Sequence, residues 1–179
     1  MSTFAENLKT IPTVENTVIL RLYNEREDLV SIIPNIPGRQ GSIRIFQHLA
    51  DAKGQINFEA AKEGLRLFSE HVEDAQKNPG KHQKLELLLG LKNRDSLQIE
   101  IVESTCSNLL NNLYDQKASA EECEVFIELL NQGKLRAAEK VNNLWEPQPY
   151  IIDGVLNYFG THGNARMEGK YWDKIPLKT

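Results

Sequence analysis

Leu97 to Val102, LQIEIV, alternates apolar and polar side chains. A period of two does not suit a helix, and it reads as a strand with one buried face. Two partners lie upstream. Thr17 to Tyr23, TVILRLY, is β-rich and partly alternating, and Leu29 to Ile33, LVSII, is a second short β-prone run. The polar stretch Asn24 to Asp28 between them predicts an antiparallel hairpin. Pro34 and the pair Pro37-Gly38 then end the extended chain.

Helices fill the space between hairpin and strand. Ser42 to Lys53 places Ile43, Phe46, Leu49 and Ala50 on one helical face, with Ser42 as N-cap and Gly54 as stop. Asn57 to Ala75 forms a longer helix with the stripe Phe58, Ala61, Leu65, Phe68, Val72. Asn57 caps it and Asn78-Pro79-Gly80 ends it. Gln83 to Leu91 is a third helix, apolar on most of its surface. The N-terminal half therefore reads ββαααβ, with a soft boundary near residue 103.

Beyond the boundary the pattern is helical. Cys106 to Tyr114 and Ala120 to Leu130 are helices, the second opened by the capping-box pair Ser119 and Glu122 and closed by Gly133. Leu135 to Val141 pairs with Leu144-Trp145 across Asn142-Asn143, because Asn tolerates the left-handed backbone of a tight hairpin. Tyr150 to Phe159 is a further helix, Gly160 to Gly169 a polar loop, and Tyr171 to Thr179 an extended tail. The expected class is α+β: mostly helical, with a small antiparallel sheet in residues 1–103 and a helical half with a β-hairpin in 104–179. There are no internal repeats and no hexapeptide repeat of the left-handed β-helix kind.

Composition narrows the function classes. The formal net charge of −4 disfavours nucleic-acid binding through bulk charge, which needs a basic face to displace counterions. No apolar run approaches the ~20 residues of a membrane span, and the first residues lack the plan of a signal peptide. The expected location is cytoplasmic. Two cysteines, Cys106 and Cys123, lie far apart without a CxxC. Two free thiols are the default there, with a disulfide as the alternative.

Leu130 to Lys140, LNQGKLRAAEK, is followed by Trp145, the apolar stretch Ile151 to Phe159 and Tyr171 to Lys178, YWDKIPLK. Over about fifty residues (Leu129 to Lys178) this order resembles the small N-terminal domain of bacterial tetrahydrodipicolinate N-succinyltransferase. The resemblance implies a helical fold for the C-terminal half. In that family the acyl-CoA site and main catalytic groups belong to a left-handed β-helix and its trimer clefts. The N-terminal domain packs beside them. That β-helix would begin where this chain stops, at Thr179. No catalytic residue carries over, no cofactor is implied, and no acyltransferase activity is expected. The N-terminal half, through its run from Pro37 to Gln83, also resembles a bacterial family known only as a domain of unknown function, and that resemblance covers about a hundred residues.

Several groups of residues invite a functional reading. Arg39-Gln40-Gly41-Ser42 precedes a helix, where unpaired N–H groups and the dipole suit an anion. It is neither a P-loop nor GxGxxG, and a structural turn is the preferred reading. His48, His71, His82 and His162 are scattered without metal-ligand spacing, although His71 and His82 flank one loop. Glu63, Glu70, Glu73 and Asp74 read as a solvated helix face. Ser104, Thr105 and Cys106 have no nucleophile elbow. On the hairpin, Arg136, Ala138 and Lys140 share one face, while Leu135, Ala137, Glu139 and Val141 share the other. Trp145 beside that cationic face reads either as core or as the anchor of a recognition surface for a protein or a small carboxylate. The expected function is a non-catalytic binding or regulatory module. The alternative is a binder of, or enzyme for, a dicarboxylate or amino-acid-type metabolite, using a cleft between the halves.

Overall fold

A central four-stranded sheet carries an apolar core on each face. In the computed structural model, which describes residues 2–166 and 172–174, the chain runs as follows. Helix α1 (Phe4–Leu8) leads to strands β1 (Thr17–Tyr23) and β2 (Leu29–Pro34). Helix α2 (Gln40–Leu49), strand β3 (Gln55–Asn57) and helices α3 (Phe58–Phe68), α4 (Glu70–Lys77) and α5 (Gln83–Gly90) follow. Strand β4 (Ser96–Glu103) completes the sheet. Helices α6 (Leu109–Tyr114) and α7 (Ala120–Asn131), hairpin strands β5 (Ala138–Val141) and β6 (Leu144–Pro147), helix α8 (Tyr150–Thr161) and the short pair β7 (Ala165–Arg166) and β8 (Trp172–Asp173) complete the described chain. The class is α+β, as the patterning predicts. The C-terminal tail expected over Tyr171 to Thr179 lies, apart from residues 172–174, outside the described residues. No helix among the described residues is long and apolar enough to cross a membrane.

The sheet order is β2-β1-β4-β3 with every neighbour antiparallel. Successive side chains of β1 point to opposite faces. Leu20 and Leu22 join one core with Ile33, Leu97 and Ile99, covered by α2, α3, α4 and α5. Ile19 joins a second core with Ile32 and Val102, covered by α6, α7, α8 and the hairpin strand β5. This explains why TVILRLY is apolar at nearly every position: a strand covered on both sides has no solvent face to alternate with. It also corrects the expectation of one buried face for Leu97 to Val102. Leu97 and Ile99 keep it, Ile101 is partly exposed, and Val102 turns to the second core.

Local departures from the expected elements have physical causes. The helix expected from Ser42 starts earlier, with Arg39 at the N-cap and no side-chain cap. It stops at Leu49, and Gly54, at φ +74°, turns the chain into β3. The helix expected over Asn57 to Ala75 breaks at Ser69, at φ 48°. There the Ser69 hydroxyl donates to the Ser2 carbonyl, and Glu70 accepts from the Phe4 N–H, so the break holds α1. The helix expected from Cys106 starts at Leu109. Asn57 and the Ser119–Glu122 capping box act as the sequence predicts. So do Asn142 and Asn143, both at positive φ.

Arg21 is the one charged residue in the middle of β1, and it is 5% exposed. Its Nε and Nη2 donate to the two carboxylate oxygens of Glu139, each at 2.8 Å. Nη2 also donates to the Lys134 carbonyl at 2.7 Å, and Nη1 to Glu100 at 3.2 Å. Burial opposes the guanidinium charge, but the hydrogen bonds and charge of Glu139 outweigh it and hold its pKa above the ordinary value. This fork-to-fork contact ties the hairpin of the C-terminal half to the central strand of the sheet. Removing Glu139 leaves a buried arginine without its main partner. Glu139→Ala is expected to cost about 3–5 kcal/mol, whereas the apolar pair Arg21→Met with Glu139→Leu recovers more than half of that loss. Urea unfolding of the three proteins checks both values.

Packing of α8 sets a second prediction. A Cβ at Gly154 would sit 2.2–2.6 Å from three atoms of the fully buried Phe126 ring on α7. Gly154→Ala gains roughly 1 kcal/mol of helix propensity, but the overlap wins. A net loss of about 1–3 kcal/mol is expected, measured by the same unfolding experiment.

Candidate functional site

Alternation along β5 decides what the hairpin shows to solvent. Glu139 and Val141 turn inward and Lys140 outward. Lys140 lies opposite Trp145 in the register, so the two share the outer face. Trp145 is 71% exposed and Leu144 at the turn 70%. Trp145 is therefore not a core residue. Arg136 lies before β5, and its Nε is 3.4 Å from the Gly133 carbonyl it donates to. The hairpin thus brings together Lys140 and Trp145, while Arg136 stays upstream on the connection from α7.

Helix α8 continues the apolar display. Tyr150, Ile151, Gly154 and Tyr158 face the core. Ile152, Leu156 and Phe159, at spacings of four and three, form an outer stripe that is 63%, 57% and 41% exposed. A helix with apolar residues on both sides has one side more than its own core uses. The apolar content of Ile151 to Phe159 does not by itself separate the two faces.

The second anion-type candidate, Arg39 to Ser42, divides between two places. Arg39, Gly41 and Ser42 line a cavity of about 340 Å³ with Phe4, Ile33, Phe68 and Leu85 and with the basic side chains of His71, Lys81, His82 and Lys84. Gln40 turns away, donating to Asn111 at 3.1 Å. It lines a smaller cavity of about 200 Å³ beside Arg44. Arg44 is consumed by the carbonyls of Leu8, Ile11 and Pro12. Gly41 has a packing reason of its own, since a Cβ there would meet the Phe4 ring at 2.5 Å.

The larger cavity gathers residues that the sequence scattered. His71 and His82 do approach, their rings 5.7 Å apart. His82 and Lys81 both contact Asp74, at 2.5 and 2.7 Å, and these hydrogen bonds, Lys81 first, hold the Asp74 carboxyl far below the usual range. Lys84 was hidden in a helix read as mostly apolar. Its ammonium donates to the buried Ser31 hydroxyl. Burial first, then the charge of Arg39, push its pKa down to about 8, against a weaker pull from Glu146. Among the described residues no cluster of three or more His, Cys, Asp or Glu is placed to hold a metal. Cys106 and Cys123 are free thiols.

Known proteins resemble two parts of the chain. A segment of 55 residues is 46% identical to the 2,3,4,5-tetrahydropyridine-2,6-dicarboxylate N-succinyltransferase of Buchnera aphidicola, covering 29% of this chain and 20% of that enzyme. The enzyme of the same name from Alteromonas mediterranea is 44% identical over 55 residues, again 20% of its length. For Shewanella oneidensis the match is 32% over 84 residues, which is 45% of this chain and 30% of the enzyme. The chain thus spans between a fifth and a third of the relatives it matches. No solved structure matches. Residues 4–101, more than half of the chain and containing the four-stranded sheet up to Ile101 together with the whole larger cavity, match the model of one family. The chain belongs to that family, described as an uncharacterized protein conserved in bacteria (DUF2322).

Proposed function

We propose that this chain is a non-catalytic binding module that docks on a folded protein through the β5–β6 tip and the outer stripe of α8. The observation that carries the reading is the exposure of Trp145, 71%, beside Leu144, together with an apolar stripe on α8 that the chain's own core leaves uncovered. Large aromatics at the surface are the usual anchors of protein interfaces. Exposed apolar groups that line up on one helix face mark a partner surface more often than isolated ones do. Lys140 opposite Trp145 adds one cation to the rim.

The partner we infer is a 2,3,4,5-tetrahydropyridine-2,6-dicarboxylate N-succinyltransferase. Its support is the partial match: the relatives share a segment with this chain and add at least two thirds of their length to it. In such an enzyme the shared segment has more protein to lie against. The resemblance read over Leu129 to Lys178 takes in α8, and a module that leaves the stripe of that helix open is suited to lie against such a protein in trans. The alternative, a metabolite-binding protein, draws support from the larger cavity, whose lining runs from Phe4 to Leu85 and includes no C-terminal residue.

The purified transferase from the same bacterium, mixed with this chain, is expected to form a complex by sedimentation velocity. Trp145→Ala is expected to change stability by under ~0.5 kcal/mol, as for an exposed side chain, while weakening the complex about tenfold or more, on the order of 1.4 kcal/mol. Arg136→Ala with Lys140→Ala should weaken it less. Absence of a complex, or full binding by Trp145→Ala, contradicts the proposal. The chain alone, given succinyl-CoA and the tetrahydropyridine dicarboxylate, should release no CoA above a blank.

A further inference from the structure

The charges lining the larger cavity do not balance. Lys81 is paired with Asp74, whose carboxylate also contacts the His82 ring. Neither Arg39 nor Lys84 has a carboxylate in direct contact among the described residues: Arg39 makes no side-chain hydrogen bond or ion pair, and Lys84 donates to a neutral hydroxyl and feels the Glu146 charge only through space, more weakly than it feels Arg39. The two cations repel each other. A half-buried lysine beside an arginine opposes folding unless something negative joins them. Two further features aim at the same place. Helix α2 opens without a side-chain cap, so the N–H groups of its first turn lack a capping acceptor, and Gly41 and Ser42 of that turn line the cavity. The remaining wall is apolar, made by Phe4, Ile33, Phe68 and Leu85. At about 340 Å³ the space is at the lower end of ligand pockets.

We infer that this cavity binds a small organic acid. Its oxyanion head lies between Arg39, Lys84 and the first turn of α2, and its apolar body rests on Phe68 and Leu85. An inorganic phosphate shares the head chemistry but has nothing to place on the apolar wall. The organic acid is thus the occupant that uses both halves of the cavity. This site lies on elements other than the hairpin and α8, and it stands or falls separately from the docking surface.

The full chain, labelled for amide NMR, is titrated with benzoate, with the neutral isostere benzamide and with inorganic phosphate. Benzoate is expected to give saturable shifts at Gly41, Ser42 and Leu85. Benzamide should give none, and phosphate should bind about tenfold or more weakly than benzoate. Arg39→Ala and Lys84→Met are each expected to weaken benzoate about tenfold. Arg39 is exposed and unpaired, so its variant should keep the rest of the spectrum unchanged. Equal binding of benzoate and benzamide, no saturable benzoate shift, or wild-type affinity in the well-folded Arg39→Ala protein would overturn the inference. Phosphate binding as tightly as benzoate would make this an inorganic oxyanion site and overturn the organic part.

Discussion

The contact between Arg21 and Glu139 orients what the β5–β6 hairpin presents. A guanidinium in the middle of a covered strand must find a carboxylate or leave the strand. The carboxylate it finds, 118 positions away, sits on β5. Once Glu139 faces the sheet, alternation sends Val141 inward with it and Lys140 outward. The register then places Trp145 outward beside Lys140. The turn is held from a second direction, since the Asn142 N–H donates to the Leu29 carbonyl and the Gln148 N–H to that of Ala137. The exposure of Trp145 therefore follows from a buried ion pair on the opposite face of the same hairpin. Tyr150, at the start of α8, shares this environment. Burial first, and the Glu139 charge second, raise its pKa, and its buried hydroxyl finds no partner among the described residues.

Elements with a strong local signal were legible from the residues alone. The β1–β2 hairpin, β4, α7 with its capping box and the Asn-Asn turn appear where periodicity and turn chemistry put them. Three kinds of feature were not. Strand β3 has three residues, too few to show a period. The break at Ser69 lies inside a continuous apolar stripe, and tertiary bonds to Ser2 and Phe4 impose it. Helix α1 did carry a signal, the Thr3–Glu6 capping box, which a short N-terminal segment makes easy to pass over. Of the candidate sites, Lys140 with Trp145 was readable from strand alternation. The charge-unbalanced cavity was not, because Arg39 and Lys84 come from different elements and only the fold brings them together. The ion pair was half legible. Arg21 in an apolar strand and Glu139 on the apolar face of the hairpin are each a lone charge in the wrong place, but nothing in the order of residues says that they meet.

The two candidate surfaces lie on different parts of the molecule. Residues from Phe4 to Leu85 form a cavity with apolar walls and two cations that have no carboxylate in direct contact among the described residues. The hairpin and α8 carry the uncovered apolar residues. The shared sheet separates the cores behind them, and β1 contributes to both. A half-buried lysine lowered to about 8 by burial and Arg39 weakens the fold below that pH. The penalty fades as pH rises from about 8 toward the ordinary lysine range, since the unfolded chain then binds more protons than the folded one. Retaining such a residue is understandable if it serves a ligand rather than the fold.

The outer faces of the hairpin and α8 are the surfaces proposed to meet a transferase. Hydrogen exchange on the chain, alone and with a saturating amount of the purified succinyltransferase, tests this directly. Slowed exchange is expected to be confined to residues 140–146 and 152–159, with the amides of β1 and α2 unchanged. Unchanged exchange throughout, or protection centred on α2 and α5 instead, would contradict the proposal.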